Sequence, residues 1–311
     1  MTVIKNYLSL IKFSHTVFAL PFALIGFFLG ADSGAVSWLH NPNNITGWGT
    51  RISEPAFFDL NKGMLQDRFI AVILCMVFAR SAAMAFNRYL DRSFDAQNPR
   101  TAIREIPAGV IKANSALLFT IAMSVLFVFT TFFINRLCFA LSPVALLVVL
   151  GYSFTKRFTP LCHLVLGLGL SLAPIGAYLA LTGKFDLLPV LFSFTVLFWV
   201  SGFDIIYALQ DEEFDKKYQL KSIPAWLGKV RALRVSEALH VLSACSLLAA
   251  GWLGAFGIWY WVGVVFFIAL LVYQHLLVKP HDLSKVNMAF FTTNGIASVL
   301  FAVFVIADIL V

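Results

Sequence analysis

The chain has 311 residues, of which 60% are hydrophobic and 13% are charged, and its mean hydropathy is +0.85. Soluble globular domains are about half apolar and a quarter charged, so this composition excludes an ordinary soluble protein and predicts one embedded in a lipid bilayer. The formal net charge of +7 comes from basic residues between apolar segments, which is typical of membrane topology and not of nucleic-acid binding.

Nine apolar segments are long enough to cross the roughly 30 Å hydrocarbon core of a bilayer as helices. In chain order they lie at 13–30, 69–90, 113–134, 137–154, 161–181, 187–209, 232–256, 257–278 and 286–311. The sequence therefore predicts an all-α bundle of nine transmembrane helices in a single domain, 1–311.

The connection at 32–67 differs from the others. It contains Trp38, Trp48, Phe57 and Phe58 among Asn, Pro and Gly, and such aromatic residues are typical of the membrane–water interface. We expect a flap between the first two helices on the non-cytoplasmic side.

Basic residues are concentrated in alternate connections, which sets the predicted orientation. Lys and Arg accumulate on the cytoplasmic side of membrane proteins. Most of the 23 Lys and Arg residues lie before the first segment or at 88–112, 156–157, 216–234 and 279–285. The amino terminus is therefore predicted to be cytoplasmic and the carboxyl terminus not, with a basic face suited to anionic lipids or an anionic substrate.

The stretch 79–109 reads ARSAAMAFNRYLDRSFDAQNPRTAIREIPAG. If the second helix continues through it at about 100° per residue, Arg80, Asn87, Asp91 and Asp95 share one face. A simpler interpretation of the two aspartates is a solvated helix end, paired with Arg92.

The stretch 201–222 reads SGFDIIYALQDEEFDKKYQLKS. The same spacing places Asp204, Asp211 and Asp215 on one face, with Tyr207 at its border. Asp215 alone has the simpler interpretation of a solvated pair with Lys216. Two helices thus present similar sets of oxygen ligands.

Asp204 and Arg80 lie inside apolar segments, where a charge costs a few kcal/mol and marks a function or a buried partner. A structural pair between these two residues is one alternative. Their clustering with the other acidic residues favours a polar cavity. By contrast, the cysteines at 75, 138, 162 and 245 are expected to be small buried hydrophobic residues, and the histidines at 15, 163, 240 and 275 are isolated in the sequence.

Carboxylates within a basic surround predict a metal-bound diphosphate. Mg²⁺ takes oxygen ligands and is usually shared between one or two carboxylates and a substrate phosphate. The cations expected to bind the remaining phosphate oxygens are Arg100, Arg104, Lys156, Arg157, Lys216 and Lys221. A diphosphate whose tail lies among apolar helices is most naturally a polyprenyl diphosphate.

The two acidic stretches resemble the aspartate-rich signatures of the UbiA superfamily of intramembrane prenyltransferases. The signature N-D-x-x-D-x-x-x-D is similar to 87–95, and D-x-x-x-D is similar to 211–215; the stretches at 100–109, 156–157 and 221–222 also match. Arg88 stands where the first signature has its first Asp. Its direction, about 100° from Asn87, indicates that it is not a primary metal ligand.

The resemblance implies a nine-helix bundle with both signatures toward the cytosol of a bacterial inner membrane, and a Mg²⁺-dependent alkylation of an aromatic ring. The implied metal ligands are Asn87, Asp91, Asp95, Asp211 and Asp215. The same resemblance implies that Tyr207 or Asp204 orients the phenol or helps remove its proton, and that Arg80 binds the carboxylate of an aromatic acid.

Within the family, the chain most resembles the 4-hydroxybenzoate polyprenyltransferases of quinone biosynthesis. One alternative is the same chemistry on a dihydroxynaphthoate in menaquinone biosynthesis, which the form N-R-x-x-D-R-x-x-D also matches. An alternative of another class is a membrane transporter, which predicts charges near the bilayer midplane and paired broken helices. The clustering of charges at one end favours the prenyltransferase.

Overall fold

The computed structural model describes residues 2–11, 18–32 and 64–311, and within these ranges the protein is all-α. The helices are α1 Thr2–Leu10, α2 Leu20–Asp32, α3 Met64–Leu90, α4 Arg92–Gln97, α5 Ala113–Phe132, α6 Arg136–Thr155, α7 Cys162–Thr182, α8 Leu187–Ala208, α9 Glu212–Lys217, α10 Ile223–Leu253, α11 Ile258–Leu277 and α12 Asn294–Leu310. A 3₁₀ turn at Leu209–Asp211 joins α8 to α9, and a π-helix at Met288–Thr293 precedes α12.

Eight helices in the described ranges are long and apolar enough to cross a membrane, which confirms the predicted all-α membrane bundle. Residues 13–17 of the first predicted segment lie outside the described part of the chain, and most of the part that is described forms the shorter helix α2. The ninth span therefore stays a prediction. Trp38, Trp48, Phe57 and Phe58 of the expected flap also lie outside the described residues.

Polar caps set several helix starts where hydropathy alone is uninformative. Asn135 accepts a hydrogen bond from the N–H of Cys138 at 2.8 Å and begins α6. Ser222 accepts one from the N–H of Ala225 at 3.3 Å and begins α10, so this helix starts well before the predicted segment at 232–256. Side-chain oxygens at these positions satisfy N–H groups that have no partner within the helix.

The core lies where α8 packs against α7 and α10. Its centre is aromatic, with Trp199, Phe22 and Phe267 fully buried. The indole of Trp199 donates to Asn294 Oδ1 at 2.9 Å, the kind of interhelical hydrogen bond that joins helices in a membrane. Outward-facing apolar residues are exposed to the lipid phase; Cys245 is among them, so its predicted burial is wrong.

Glycine permits the closest helix contact near the polar end of the core. A Cβ at Gly167 of α7 would collide with the Leu197 carbonyl and the Ser201 hydroxyl of α8. The Ser201 hydroxyl in turn donates to the backbone carbonyl of His163 at 3.1 Å. These contacts fix the register of α7 against α8.

The helical spacing considered for 79–109 does not extend through the whole stretch, because α3 ends at Leu90 and turns follow the short helix α4. Helical spacing nevertheless continues through Asp95. The N–H of Asp91 donates to the Asn87 carbonyl at 2.9 Å, and the N–H of Asp95 donates to the Asp91 carbonyl at 2.8 Å. The three side chains therefore stay on one side of the chain.

A candidate active site between two acidic segments

A polar cavity of about 300 Å³ lies between the first acidic segment, 87–95, and the second acidic segment, 204–215. Its wall includes most of the residues that the sequence nominates: Arg80, Asn87, Asp91, Asp95, Arg100, Arg104, Lys156, Arg157, Asp204, Tyr207, Asp211 and Asp215. The fold thus brings together groups from α3, α4, α8, α9 and two connections.

Lys216 and Lys221 do not lie on this cavity. Lys216 is half exposed and binds Glu212 at 2.6 Å on α9, and Lys221 is exposed. Lys216 follows Asp215 directly, so its side chain leaves the helix about 100° away from the carboxylate that faces the cavity. These two lysines, which the sequence predicts to bind the diphosphate, therefore lie outside the wall of this cavity.

Arg100 joins the two acidic segments. Its Nη2 lies 2.6 Å from Asp211 Oδ2 and its Nε lies 3.1 Å from Asp211 Oδ1, a bidentate geometry that is stronger than a single contact. The remaining Nη1 donates to the Tyr207 hydroxyl at 3.0 Å. Burial lowers the pKa of Arg100, but Asp211 and Tyr207 outweigh it and raise the pKa above its ordinary value.

Three more carboxylates of the cavity wall, those of Asp95, Asp215 and Asp91, each lie near a cation. Arg104 Nη1 contacts both oxygens of Asp95 at 2.7 and 2.9 Å. Lys156 Nζ lies 2.7 Å from Asp215, whose second oxygen accepts from Ser222 at 2.8 Å. Since these pairs couple different segments, they hold the cavity wall together.

The longest of these pairs joins Arg157 and Asp91, at 3.4 Å. Burial and the neighbouring Asp95 carboxylate raise the pKa of Asp91, and Arg157 offsets this only in part. Lys156 shows the opposite balance: burial lowers its pKa, but Asp215 outweighs burial and raises it. A further cation near Asp91 would therefore stabilise its ionised form.

Asn98 is a site residue that the sequence interpretation missed. Its Nδ2 donates to Asp211 Oδ1 at 3.3 Å, and its Oδ1 accepts the N–H of Arg100 at 3.0 Å. The dipeptide Asn98-Pro99 is a turn signal that could have indicated its role. Asn98 turns the chain so that Arg100 reaches the second acidic segment.

His163 is not isolated, contrary to the sequence expectation. Its Nδ1 lies 2.7 Å from Asp204 Oδ2, so the partner of Asp204 is this histidine and the suggested structural pair with Arg80 is not formed. His240 and His275 are also paired, with ring nitrogens 2.9 Å apart. Both pairs join residues on different helices that are far apart in the chain. Helical periodicity within one segment therefore could not have predicted them.

Two arginines of α3 present unpaired nitrogens. Arg88 is 3% exposed and lies in the cavity wall. Within the described part of the chain its Nε and Nη1 have no hydrogen-bond partner, nor does Nε of Arg80. These groups have charge available for an anion entering the cavity.

A second cavity of about 360 Å³ lies among α3, α5, α6 and α7. Apolar side chains dominate its wall. It shares Arg80, Met84, Tyr152, Leu166 and Leu170 with the polar cavity, so the two are neighbours. In the described ranges, no three His, Cys, Asp or Glu side chains converge to hold a metal by themselves.

Comparison with known proteins supports the same family. A model described as the UbiA prenyltransferase family matches residues 45–296. A 4-hydroxybenzoate octaprenyltransferase from Photobacterium profundum is 34% identical over 161 residues, which cover 51% of this chain and 56% of that protein. One from Nitrosomonas europaea is 34% identical over 167 residues, covering 53% and 57%. The chain thus spans about half the length of the curated relatives it matches.

Solved structures agree over nearly the whole chain. The apo structure of a UbiA homolog from Aeropyrum pernix K1 is 26% identical with a TM-score of 0.73, covering 95% of this chain and 97% of that one. A UbiA homolog from Archaeoglobus fulgidus bound to DMAPP and Mg²⁺ is 22% identical with a TM-score of 0.71, covering 98% and 99%. This integral membrane protein belongs to the UbiA prenyltransferase family.

Proposed function

We propose that this protein transfers a polyprenyl group from a polyprenyl diphosphate to the ring of 4-hydroxybenzoate in quinone biosynthesis, releasing diphosphate. One observation carries the proposal: two acidic segments and their paired cations line a single polar cavity, and that cavity shares a wall with an apolar one. A substrate with a doubly charged head and a hydrocarbon tail needs both environments.

The oxygen donors of the polar cavity suit Mg²⁺. Asn87, Asp91, Asp95, Asp211 and Asp215 would hold it, since a hard cation prefers oxygen ligands and completes its shell with substrate phosphate and water. Bound there, Mg²⁺ would neutralise the diphosphate and stabilise its departure. The A. fulgidus homolog bound to Mg²⁺ and DMAPP supports this assignment.

The cations of the cavity would bind the phosphate oxygens. Arg100, Arg104, Lys156 and Arg157 each contact a carboxylate at 2.6–3.4 Å. A diphosphate that enters with a divalent cation supplies a new partner to both members of each pair. The pairs therefore balance the charges of the cavity wall and present them to the substrate.

The chemical step is an electrophilic alkylation. The bond between the first prenyl carbon and the diphosphate oxygen breaks, and its electrons leave with the diphosphate. The ring carbon beside the hydroxyl, activated by it, forms the new carbon–carbon bond, and the ring then loses one proton. Asp204 or Tyr207 would orient the phenol, Asp204 would accept that proton, and Arg80 would bind the aromatic carboxylate.

We further propose that the polar cavity faces the cytosol of a bacterial inner membrane, with the amino terminus on that side and the carboxyl terminus on the other. The connections at this end carry most of the Lys and Arg residues, as expected for a cytoplasmic face in contact with anionic lipids. The chain would form one domain, with the connection between α2 and α3 as a flap on the opposite face.

The test supplies the purified protein with a polyprenyl diphosphate, Mg²⁺, and 4-hydroxybenzoate in competition with dihydroxynaphthoate. We expect mainly prenylated hydroxybenzoate by mass spectrometry, no product in excess EDTA, and recovery when Mg²⁺ is restored. Predominant prenylation of dihydroxynaphthoate would instead assign the menaquinone reaction. If no prenylated acid forms from either acceptor, the proposal is wrong.

A matched pair of variants tests the site itself. Asp211→Asn removes a carboxylate of the cavity, and we expect kcat/KM to fall by roughly 10²-fold or more. Asp282→Asn makes the same chemical change on an exposed turn outside the cavity and should leave kcat/KM unchanged. Equal activity of both variants would contradict the metal site.

A further inference from the structure

We infer that His163 is a positioning residue that fixes the Asp204 carboxylate as the acceptor of the proton released by the aromatic ring. This inference rests on the proposed prenyl transfer. It assigns a role to a buried histidine that lies on a different helix from both acidic segments.

The hydrogen bonds of His163 define its protonation. The backbone N–H of Ile223 donates to Nε2 at 3.3 Å, so Nε2 carries a lone pair. The neutral imidazole must then carry its proton on Nδ1, and it donates this proton to Asp204 Oδ2 at 2.7 Å. The network thus assigns the tautomer, with Asp204 Oδ2 as the acceptor of the Nδ1 proton.

The His163 and Asp204 side chains differ in how much of their surface is exposed. The His163 side chain is 3% exposed, whereas that of Asp204 is 22% exposed, and both border the polar cavity. The backbone of His163 is also held in place, because the Ser201 hydroxyl lies 3.1 Å from its carbonyl while also bonding to the Leu197 carbonyl at 2.6 Å, and Gly167 keeps α7 close to α8. His163 is therefore a rigid support, and Asp204 presents its other oxygen to the cavity.

The proton balance is complete with the groups already named. When the ring regains aromaticity, Asp204 Oδ1 accepts the proton and the carboxylate becomes a carboxylic acid. His163 keeps its own proton throughout. Asp204 then gives the proton to the diphosphate product, which has gained the electron pair of the broken bond, so the side chains end the cycle unchanged.

Two substitutions of His163 each keep one of its two side-chain hydrogen bonds and remove the other. In His163→Asn the amide nitrogen can occupy the place of Nδ1 and donate to Asp204, but the contact with Ile223 is lost. In His163→Gln the amide oxygen can accept from Ile223, but the donor next to Asp204 is lost. We expect His163→Asn to keep kcat within about 3-fold and His163→Gln to lower it by roughly 10- to 100-fold, with KM for both substrates unchanged.

A double mutant tests whether His163 acts through Asp204. In an Asp204→Asn background, His163→Gln should cause no further loss of kcat, because the two changes remove one shared function. Additive losses, or a larger loss in His163→Asn than in His163→Gln at equal thermal stability, would overturn the inference and indicate a packing role.

The ¹⁵N NMR chemical shifts of the His163 ring in the wild-type protein show which nitrogen carries the proton, and this measurement does not depend on activity. We expect His163 to carry its proton on Nδ1, and a proton on Nε2 would overturn the inference. Absence of product from the wild-type protein would overturn the proposed function and the role of His163 with it. Wild-type product together with equal rates for the two histidine variants would overturn the inference alone.

Discussion

Arg88 illustrates how a single residue can be costly for the fold and useful to the site. It is 3% exposed, and within the described residues its Nε and Nη1 lack partners. Leaving buried polar groups unpaired costs about 1–3 kcal/mol. Its neighbour Asn87 turns toward the carboxylates and donates to Asp91 Oδ2 at 3.1 Å, so Arg88 occupies a different part of the same cavity wall.

We predict that Arg88→Met raises the free energy of unfolding by about 1–3 kcal/mol and raises KM for the aromatic acid. The apolar side chain of similar length removes the unpaired charge, and the substrate carboxylate loses a cation. Thermal unfolding and steady-state kinetics measure the two effects.

Arg92→Met is the control for Arg88→Met. Arg92 is exposed, lies outside the cavity and donates to the Tyr89 carbonyl, so its replacement should change stability by less than about 0.5 kcal/mol. If Arg88→Met lowers stability and leaves the KM for the acid unchanged, Arg88 has a structural role and the prediction is wrong.

At the scale of helices, the contact of α7 with α8 determines whether the site forms. Gly167 lies one turn after His163 and faces the backbone of α8, so the helices approach more closely there than any side chain allows. The ends of α8 and α3 then bring the two acidic segments to one cavity. A change at Gly167 therefore acts on the site from outside it.

We predict that Gly167→Ala lowers the free energy of unfolding by about 1–3 kcal/mol, because the new methyl group meets backbone that cannot move aside. The helices must separate, so His163 withdraws from Asp204 and kcat falls. Gly151→Ala on α6 is the control, since no atom lies within 4 Å of a Cβ there. Equal stability and kcat in the two variants would contradict the role of the close contact.

The extent to which these elements can be predicted from the sequence differs between single helices and contacts between them. The apolar segment at 113–134 anticipates α5, Ala113–Phe132, because membrane burial depends on local hydropathy. The apolar segment at 69–90 likewise anticipates the end of α3 at Leu90, whereas the bond from His163 to Asp204 depends on how α7 packs against α8. The hydrophobic periodicity of one helix predicts neither the register of α7 against α8 nor the contact of Arg100 with Asp211.

At the scale of the whole molecule, the two neighbouring cavities separate charge from hydrocarbon. The polar cavity holds the carboxylates and cations, and the apolar cavity continues among four helices beyond Arg80 and Tyr152. An isoprenoid tail can pass from lipid into the apolar cavity without exposing hydrocarbon to water, because both surroundings are apolar. The size of that cavity should then limit the length of the tail.

We predict that Gly176→Leu reduces the use of long prenyl diphosphates. Gly176 lines the apolar cavity, and no atom lies within 4 Å of a Cβ placed on it, so a leucine there extends into open space that a long tail would fill. In a competition between geranyl and octaprenyl diphosphates, the share of octaprenylated product should fall by roughly 10-fold or more, measured by mass spectrometry.

Gly151→Leu supplies the comparison for this last prediction, because Gly151 also has open space around it but lines neither cavity. Both variants add the same side chain to a membrane-spanning helix, so general effects on folding are matched. The wild-type product ratio should persist in Gly151→Leu. If both variants keep that ratio, the tail does not extend past Gly176, and it must leave the polar cavity by another route between the helices.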